Sequence, residues 1–279
     1  MKYKLICIDL DGTLLNRDKV ISERNRKVLK AVSDRGVFVI PATGRVLFNA
    51  LNVLYPFNLY DYIVTSNGAL IKDLRNDQIL RQINIGEHQI LKILDFSGKN
   101  RLDPVFYTNE KIYISGKSNL AMYKLYGIKS DAIPAERMNF VRNFNEWSSV
   151  LKKEKAPFGK CIFYGMSDRK SHRMREALNS DHSLEMVFMG KRSLEITGAG
   201  ATKGGAAAFL SEKLCISPQE IIAFGDSEND YSMIKYAGTG VAMANAAPLL
   251  KKEADFIIGN NNGDGIARFL ENHVLNEEN

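Results

Sequence analysis

The chain has 279 residues, 45% of them hydrophobic and 25% charged, with 38 Lys+Arg against 32 Asp+Glu and a net charge of +6. These proportions exclude a disordered, collagen-like or low-complexity chain, and the length suffices for one large domain or two smaller ones. Three widely separated cysteines, Cys7, Cys161 and Cys215, form no C-x-x-C pair, which argues against a disulfide scaffold or a structural zinc site and for small buried thiols in a reducing compartment.

In chain order, Lys4 to Leu10 is a short apolar run that ends in acids, the pattern of a parallel strand buried on both faces. Ser22 is placed to cap a helix with Val28, Leu29 and Val32 on one face, and Gly36 to end it. Val37 to Ile40 reads as a second strand broken by Pro41. Tyr62 to Thr65 reads as a third, followed by the turn signal Ser66-Asn67-Gly68. Residues 84 to 193 differ. Val105 to Thr108 and Lys111 to Ile114 read as short, partly amphipathic strands joined like a hairpin at Asn109-Glu110. Helices are expected around 86–96, 118–126 and 168–179, with a strand at Cys161 to Tyr164.

The last third resumes the first rhythm. Lys203 to Leu214 reads as helix, Ile221 to Phe224, Thr239 to Met243 and Asp255 to Ile258 as strands, and Gly263 to Glu271 as a closing helix. The expected fold class is therefore α/β: a doubly wound parallel sheet in a discontinuous core, residues 1–83 and 194–279, with an inserted α+β domain at 84–193. No apolar run approaches a membrane span or a signal-peptide core, so a soluble cytoplasmic protein without membrane partners is expected.

In such a sheet, ligands bind beyond the carboxyl ends of the strands. There stand Asp9-Leu10-Asp11-Gly12-Thr13, Ala42-Thr43-Gly44-Arg45 and Gly225-Asp226-Ser227-Glu228-Asn229-Asp230, while Lys203 opens a helix. The set makes chemical sense around a phosphate. Asp9 and Asp226 offer hard oxygens to Mg²⁺. A carboxylate attacking a phosphate dianion meets repulsion, which the metal and Lys203 would offset, with Thr43 and backbone N–H groups on the phosphoryl oxygens. Asp9 can then be the nucleophile, and Asp11 the acid and base that protonates the leaving oxygen and activates water. Gly12 permits the tight turn between them.

Other motifs fail on spacing. The Gly198 to Gly205 stretch is neither a P-loop nor a dinucleotide fingerprint, and Leu14 and Tyr231 stand where a calcium loop needs glycine. His88, His172, His182 and His273 are scattered at polar positions and read as surface residues. Phe106, Tyr107, Tyr113, Tyr123 and Tyr126 read as core residues before pocket residues.

Asp9-Leu10-Asp11-Gly12-Thr13-Leu14-Leu15, Thr43-Gly44-Arg45, Lys203 and the Gly225 to Asp230 run resemble the four ordered motifs of the haloacid dehalogenase superfamily. More narrowly, Ser66-Asn67-Gly68-Ala69, Val241 to Ala246 and Asn262 to Ala267 are similar to signatures of its Cof-like hydrolases, which carry a type IIB α/β cap at the position of the insertion. The resemblance implies Asp9 as nucleophile, Asp11 as acid/base, and Thr43 and Lys203 on phosphate. It implies Mg²⁺ on the Asp9 carboxylate, the Asp11 carbonyl and Asp226, with Asp230 behind. It also places Asn229 and the backbone near Leu10 and Gly44 on phosphate. Ala244, where the family commonly has Gly, is a departure outside the four motifs.

The expected function is a Mg²⁺-dependent phosphatase of small phosphorylated metabolites, with sugar phosphates in first place. A phosphotransferase or mutase on the same aspartyl-phosphate is the alternative, and a basic nucleic-acid-binding module a remote one that no zinc-finger or RNP-type pattern supports. No nucleic-acid partner is expected, and the sequence leaves the oligomeric state open. Residues 84–193 carry 19 Lys+Arg against 12 Asp+Glu, so the basic surplus belongs to the insertion. It could steer anions or merely be solvated.

Overall fold

The computed structural model describes residues 2–55, 57, 59–121, 134–178, 180, 182–189 and 193–276. Its strands, in chain order, are β1 (Leu5–Ile8), β2 (Phe38–Pro41), β3 (Tyr62–Thr65), β4 (Leu70–Asp73), β5 (Gln78–Gln82), β6 (Val105–Tyr107), β7 (Ile112–Ser115) and β8 (Met138–Val141), then β9 (Lys160–Tyr164), β10 (Leu184–Met189), β11 (Ser193–Gly198), β12 (Ile221–Gly225), β13 (Thr239–Met243) and β14 (Phe256–Ile258). The chain forms two compact units. One comprises Met1–Arg45, Val53–Arg81 and Thr202–Asn279; the other comprises Val46–Asn52 and Gln82–Ala201.

The first unit is built on a five-stranded parallel sheet, ordered β14-β13-β12-β1-β2. β1 and β12 are apolar throughout and buried throughout, as strands covered on both faces must be. The chain passes from β1 to β2 on one side, and β12 returns to its other side. That makes the end of β1 a switch point in strand order, where a crevice opens. The helix Glu23–Asp34 forms as expected. Ser22 Oγ accepts the Asn25 N–H at 3.2 Å, Val28, Leu29 and Val32 are buried, and Gly36 follows the end of the helix at φ +84°. β2 runs on through Pro41, where a break was expected. At the last position of an edge strand the missing N–H costs no ladder bond, and Ala42 N takes up the pairing to Ile8 O. β3, β4 and β5 form a separate sheet beside β2, linked to it by the Ala42–Val64 bridge.

The second unit carries a six-stranded mixed sheet, ordered β10-β11-β9-β6-β7-β8. One face packs on helices through Ile90, Ile93, Leu94, Trp147, Met174 and Leu178. The other packs Val105, Tyr107, Ile112, Ile114 and Ile162 on Val46 and Phe48. β6 and β7 are therefore buried at every residue, which corrects the amphipathic expectation: each face has its own apolar cluster, so neither meets water. Phe106, Tyr107 and Tyr113 are core residues, and Phe106 meets Trp147 edge-on at 5.0 Å. Tyr123, Tyr126 and the second half of the helix expected at 118–126 lie outside the described residues, while 117–121 is helical.

Cys7 and Cys161 are buried thiols, but Cys215 is exposed, because it sits at φ +54° in the tight exit from the helix Lys203–Lys213. His273 departs from a plain surface position by stacking on Phe269 at 4.3 Å. No helix among the described residues is long and apolar enough to cross a membrane.

Candidate active site

All the motif loops lie in the first unit. Asp9 is the first residue after β1. Its N–H donates to Phe224 O at 3.0 Å, continuing the ladder, so its side chain leaves the sheet edge at a fixed place. The carboxylate is buried, as is Lys203, whose Nζ lies 2.5 Å from Asp9 Oδ1 and 2.6 Å from Asp230 Oδ1. Thr202 places that lysine by capping the helix Lys203–Lys213, its side chain accepting the Gly205 N–H at 3.0 Å.

Asp230 is held by both oxygens. Oδ1 takes the lysine, and Oδ2 accepts the backbone N–H groups of Asp226 and Ser227, each at 2.9 Å. This box closes the loop after β12 and aims the Asp226 carboxylate, which accepts hydrogen bonds from Thr13 Oγ1 at 2.9 Å and Ser227 Oγ at 3.1 Å. One oxygen each from Asp9, Asp226 and Asp230 lie within 4.8 Å of one another, so these three residues could hold a metal ion.

The electrostatics follow from three carboxylates around one ammonium. Burial pushes the Asp9 carboxyl well above its ordinary range; Lys203 opposes this, and Asp230 and Asp226 add to it. Burial and the Asp230 charge likewise raise Asp226. Burial works against the Lys203 ammonium, but Asp230 and Asp9 outweigh it and keep the lysine charged. One positive charge among three acids leaves the site short of cation, which is the electrostatic condition a divalent ion answers.

Asp11 has a different setting. Arg45 grips it as a fork, Nε to Oδ2 at 2.6 Å and Nη2 to Oδ1 at 2.9 Å, and Lys19 adds a 2.6 Å contact to Oδ1. Burial would raise this carboxyl, but the two cations hold it well below the usual carboxylate range. Gly12 turns the chain at φ +87°, and a Cβ there would lie 2.4 Å from Asp226 Oδ2. The glycine is thus required by backbone conformation and by the neighbouring acid together.

Thr43 is buried in the loop after β2. Its N–H donates to Val64 O, and its hydroxyl accepts the Arg45 N–H at 3.1 Å. Leu10 and Gly44 stand in the turns beside Asp9 and Thr43, the Leu10 carbonyl accepting the N–H of Leu15 at 2.8 Å. Asn229 is buried, and its Nδ2 donates to Asn67 Oδ1 at 2.9 Å. The structure thus brings Asp9, Lys203, Asp226 and Asp230 together, sets Asp11 in an arginine fork, and ties Asn229 to the turn after β3.

Arg45, Lys19, Thr13 and Asn67 join the site through partners that their sequence positions do not show. Arg45 and Thr13 stood inside motifs already singled out, and Asn67 inside a turn signal, so their positions were visible while their partners were not. Further asparagines brace the segment after Asp11. Asn245 Nδ2 donates to Gly12 O at 2.8 Å, Asn261 Nδ2 to Leu15 O at 2.8 Å, and Asn262 Oδ1 accepts the Arg17 N–H at 3.0 Å.

Residues 6–270 match the haloacid dehalogenase-like hydrolase family. The chain is 32% identical over 274 residues to the 5-amino-6-(5-phospho-D-ribitylamino)uracil phosphatase YcsE of Bacillus subtilis, covering 98% of this chain and 96% of that protein. It is 29% identical to a second phosphatase of the same description in that organism, YwtE, covering 96% and 97%. Among solved structures it resembles a haloacid dehalogenase-like hydrolase from B. subtilis with a TM-score of 0.83 at 26% identity, covering 97% of this chain and 99% of that one.

Proposed function

The chain belongs to the haloacid dehalogenase-like hydrolases and is a phosphoric monoester hydrolase, and from that premise we propose that it releases phosphate from small sugar or polyol phosphates through an aspartyl-phosphate on Asp9, with Mg²⁺ bound beside it. The observation that carries the reading is the buried Lys203 bridge between Asp9 and Asp230, with Asp226 alongside. A buried lysine tied to two acids holds the nucleophile in place and opposes the protonation that burial favours, and its charge falls where a phosphoryl group would bring more negative charge.

The donor set fits a hard divalent cation: carboxylate oxygens, with no thiol or imidazole among them. Asp9, Asp226 and the Asp11 carbonyl would hold it, with Asp230 behind. The ion would draw charge from the phosphoryl oxygens and relieve the crowding of acids.

The steps then belong to the side chains. An Asp9 carboxylate oxygen bonds to phosphorus as the bond to the leaving oxygen breaks, and Asp11 gives that oxygen a proton. Water next attacks the phosphorus of the aspartyl-phosphate and loses a proton to Asp11, restoring Asp9 and freeing inorganic phosphate. Thr43 and Asn229, with the N–H groups near Leu10 and Gly44, orient the phosphoryl oxygens. The Arg45 fork favours the ionised Asp11 that the second step needs. The first step needs a proton there, so the fork must loosen as substrate enters. The substrate class is supported by the relatives named for a phosphorylated ribityl compound.

The test is inorganic phosphate release from a panel of sugar and polyol phosphates with Mg²⁺ and no added acceptor. Turnover that stops with EDTA and in the Asp9→Asn variant is expected. Substantial turnover in a folded Asp9→Asn variant would sink the nucleophile, and substrate consumed only when a second sugar is supplied, with the phosphoryl group appearing on that sugar, would point to transfer.

A further inference from the structure

The turn Ser66-Asn67-Gly68 lies outside the residues given a role above, yet it touches three of the four motif loops. Ser66 N donates to Arg45 O at 2.8 Å and Asn67 N to Thr43 O at 3.0 Å, which fixes it on the loop after β2. Gly68, at φ +101°, lies so close to Thr202 that a Cβ would fall 2.2 Å from its carbonyl oxygen, which fixes it on the residue that caps the Lys203 helix. The Asn67 side chain accepts from Asn229 in the loop after β12.

The backbone reaches this position at a conformational cost. Ser66 (φ +49°) and Asn67 (φ +58°) are both left-handed, a region that residues with a Cβ avoid, asparagine least among them. Strain at consecutive buried residues persists only where the surroundings impose it, and here two backbone hydrogen bonds and the Asn229 contact do so. Asn229 shows what the arrangement achieves. It is buried with one end of its carboxamide tied to Asn67, while its Oδ1 has no hydrogen-bond partner among the described residues. A carboxamide buried with one open edge loses stability unless a ligand meets that edge. With Asn67 turned to donate its Nδ2 to Asn229 Oδ1, the Asn229 carboxamide turns by a half rotation and its open edge presents Nδ2, a donor, to a phosphoryl oxygen.

We propose that Asn67 is a positioning residue: its side chain fixes the Asn229 carboxamide so that its open edge meets the phosphoryl group. The proposal rests on the phosphatase reading above and names a residue through which that site is held.

The test is a cycle of Asn67→Gly, Asn229→Ala and the double variant. Glycine suits the left-handed backbone, so Asn67→Gly removes the carboxamide while sparing the turn. Two readouts are used: inhibition by inorganic phosphate and kcat/KM on p-nitrophenyl phosphate, each with saturating Mg²⁺. A lost hydrogen bond to a charged group predicts that each single variant weakens phosphate inhibition about tenfold. The double variant is expected to be no weaker than Asn229→Ala alone, because Asn67 acts through Asn229. Two results overturn the proposal: wild-type phosphate affinity in Asn67→Gly, or losses that simply add in the double variant, the mark of a structural role. Should Asn67→Gly not fold, Asn67→Ser, too short to reach Asn229, takes its place in the cycle. Wild-type protein that neither binds phosphate nor turns over overturns the phosphatase reading and this proposal with it, whereas an active wild type with an inert cycle overturns the positioning role alone.

Discussion

Lys203 shows how a charge in the interior is made tolerable. An unpaired buried ammonium would lose its proton, but two carboxylates at 2.5 and 2.6 Å compensate the lost hydration and hold it charged. Removing it should therefore cost more than catalysis. In Lys203→Met, Asp9 and Asp230 are left buried without their cation, and a loss of about 3–5 kcal/mol in urea unfolding is expected in metal-free protein. An unchanged unfolding midpoint would mean that the bridge contributes nothing to the fold. Gly12 makes a sharper case, because its substitution adds one methyl group. Gly12→Ala forces a Cβ into a positive-φ position and against the Asp226 carboxylate. The expected result is a fall in phosphatase activity of at least about tenfold, from a misplacement on the order of 1 Å, in a protein that still folds.

At the scale of elements, the exit from the helix Phe144–Lys153 gives a pH-dependent contribution to stability. Glu154, just past that helix, accepts hydrogen bonds from the Tyr113 hydroxyl on β7, from Lys111 Nζ at 2.9 Å and from Ala156 N at 2.9 Å. Burial would raise its carboxyl, but Tyr113 and Lys111 outweigh burial and hold it at about 2, below its ordinary 4.5. A carboxylate depressed in the folded state stabilises fully above its unfolded value and loses that contribution as pH falls toward the folded one. Glu154→Gln should therefore destabilise the second unit by about 1–2 kcal/mol at pH 7. The difference from wild type should shrink between roughly pH 4.5 and pH 2. A constant difference across that window in thermal melts would show that the ionised carboxylate is not the source.

At the scale of the whole molecule, the two units have separate cores, one around the parallel sheet and one on the two faces of the mixed sheet. Among the described residues, the three acids clustered to hold a metal, Asp9, Asp226 and Asp230, belong to the first. Calorimetry should then depart from a single two-state transition, and Mg²⁺ should raise the transition of the first unit through mass action while leaving that of the second in place. Asp226→Asn should abolish most of that shift. Two transitions that rise together, or neither rising, would count against metal binding confined to the first unit.

The parallel core and the order of its chemistry are written in the chain's local pattern. A strand buried on both faces must be apolar throughout, so the acids after Ile8 and Gly225 and the loop after Pro41 announce themselves as strand ends, and strand ends in such a sheet converge. Asp9, Thr43 and Asp226 were legible as strand-end residues for that reason, and Lys203 as the opening of a helix. The pairings between loops arise only on folding. The Arg45 fork on Asp11, the Thr13–Asp226 hydrogen bond and the Asn67–Asn229 contact join residues 34, 213 and 162 positions apart, and no local pattern encodes which polar group meets which. The burial of β6 and β7 was hidden likewise, since whether a short strand has one wet face depends on what folds against it. Periodicity fixes which residues can share a face; packing from elsewhere in the chain decides whether that face meets water, another element or a ligand.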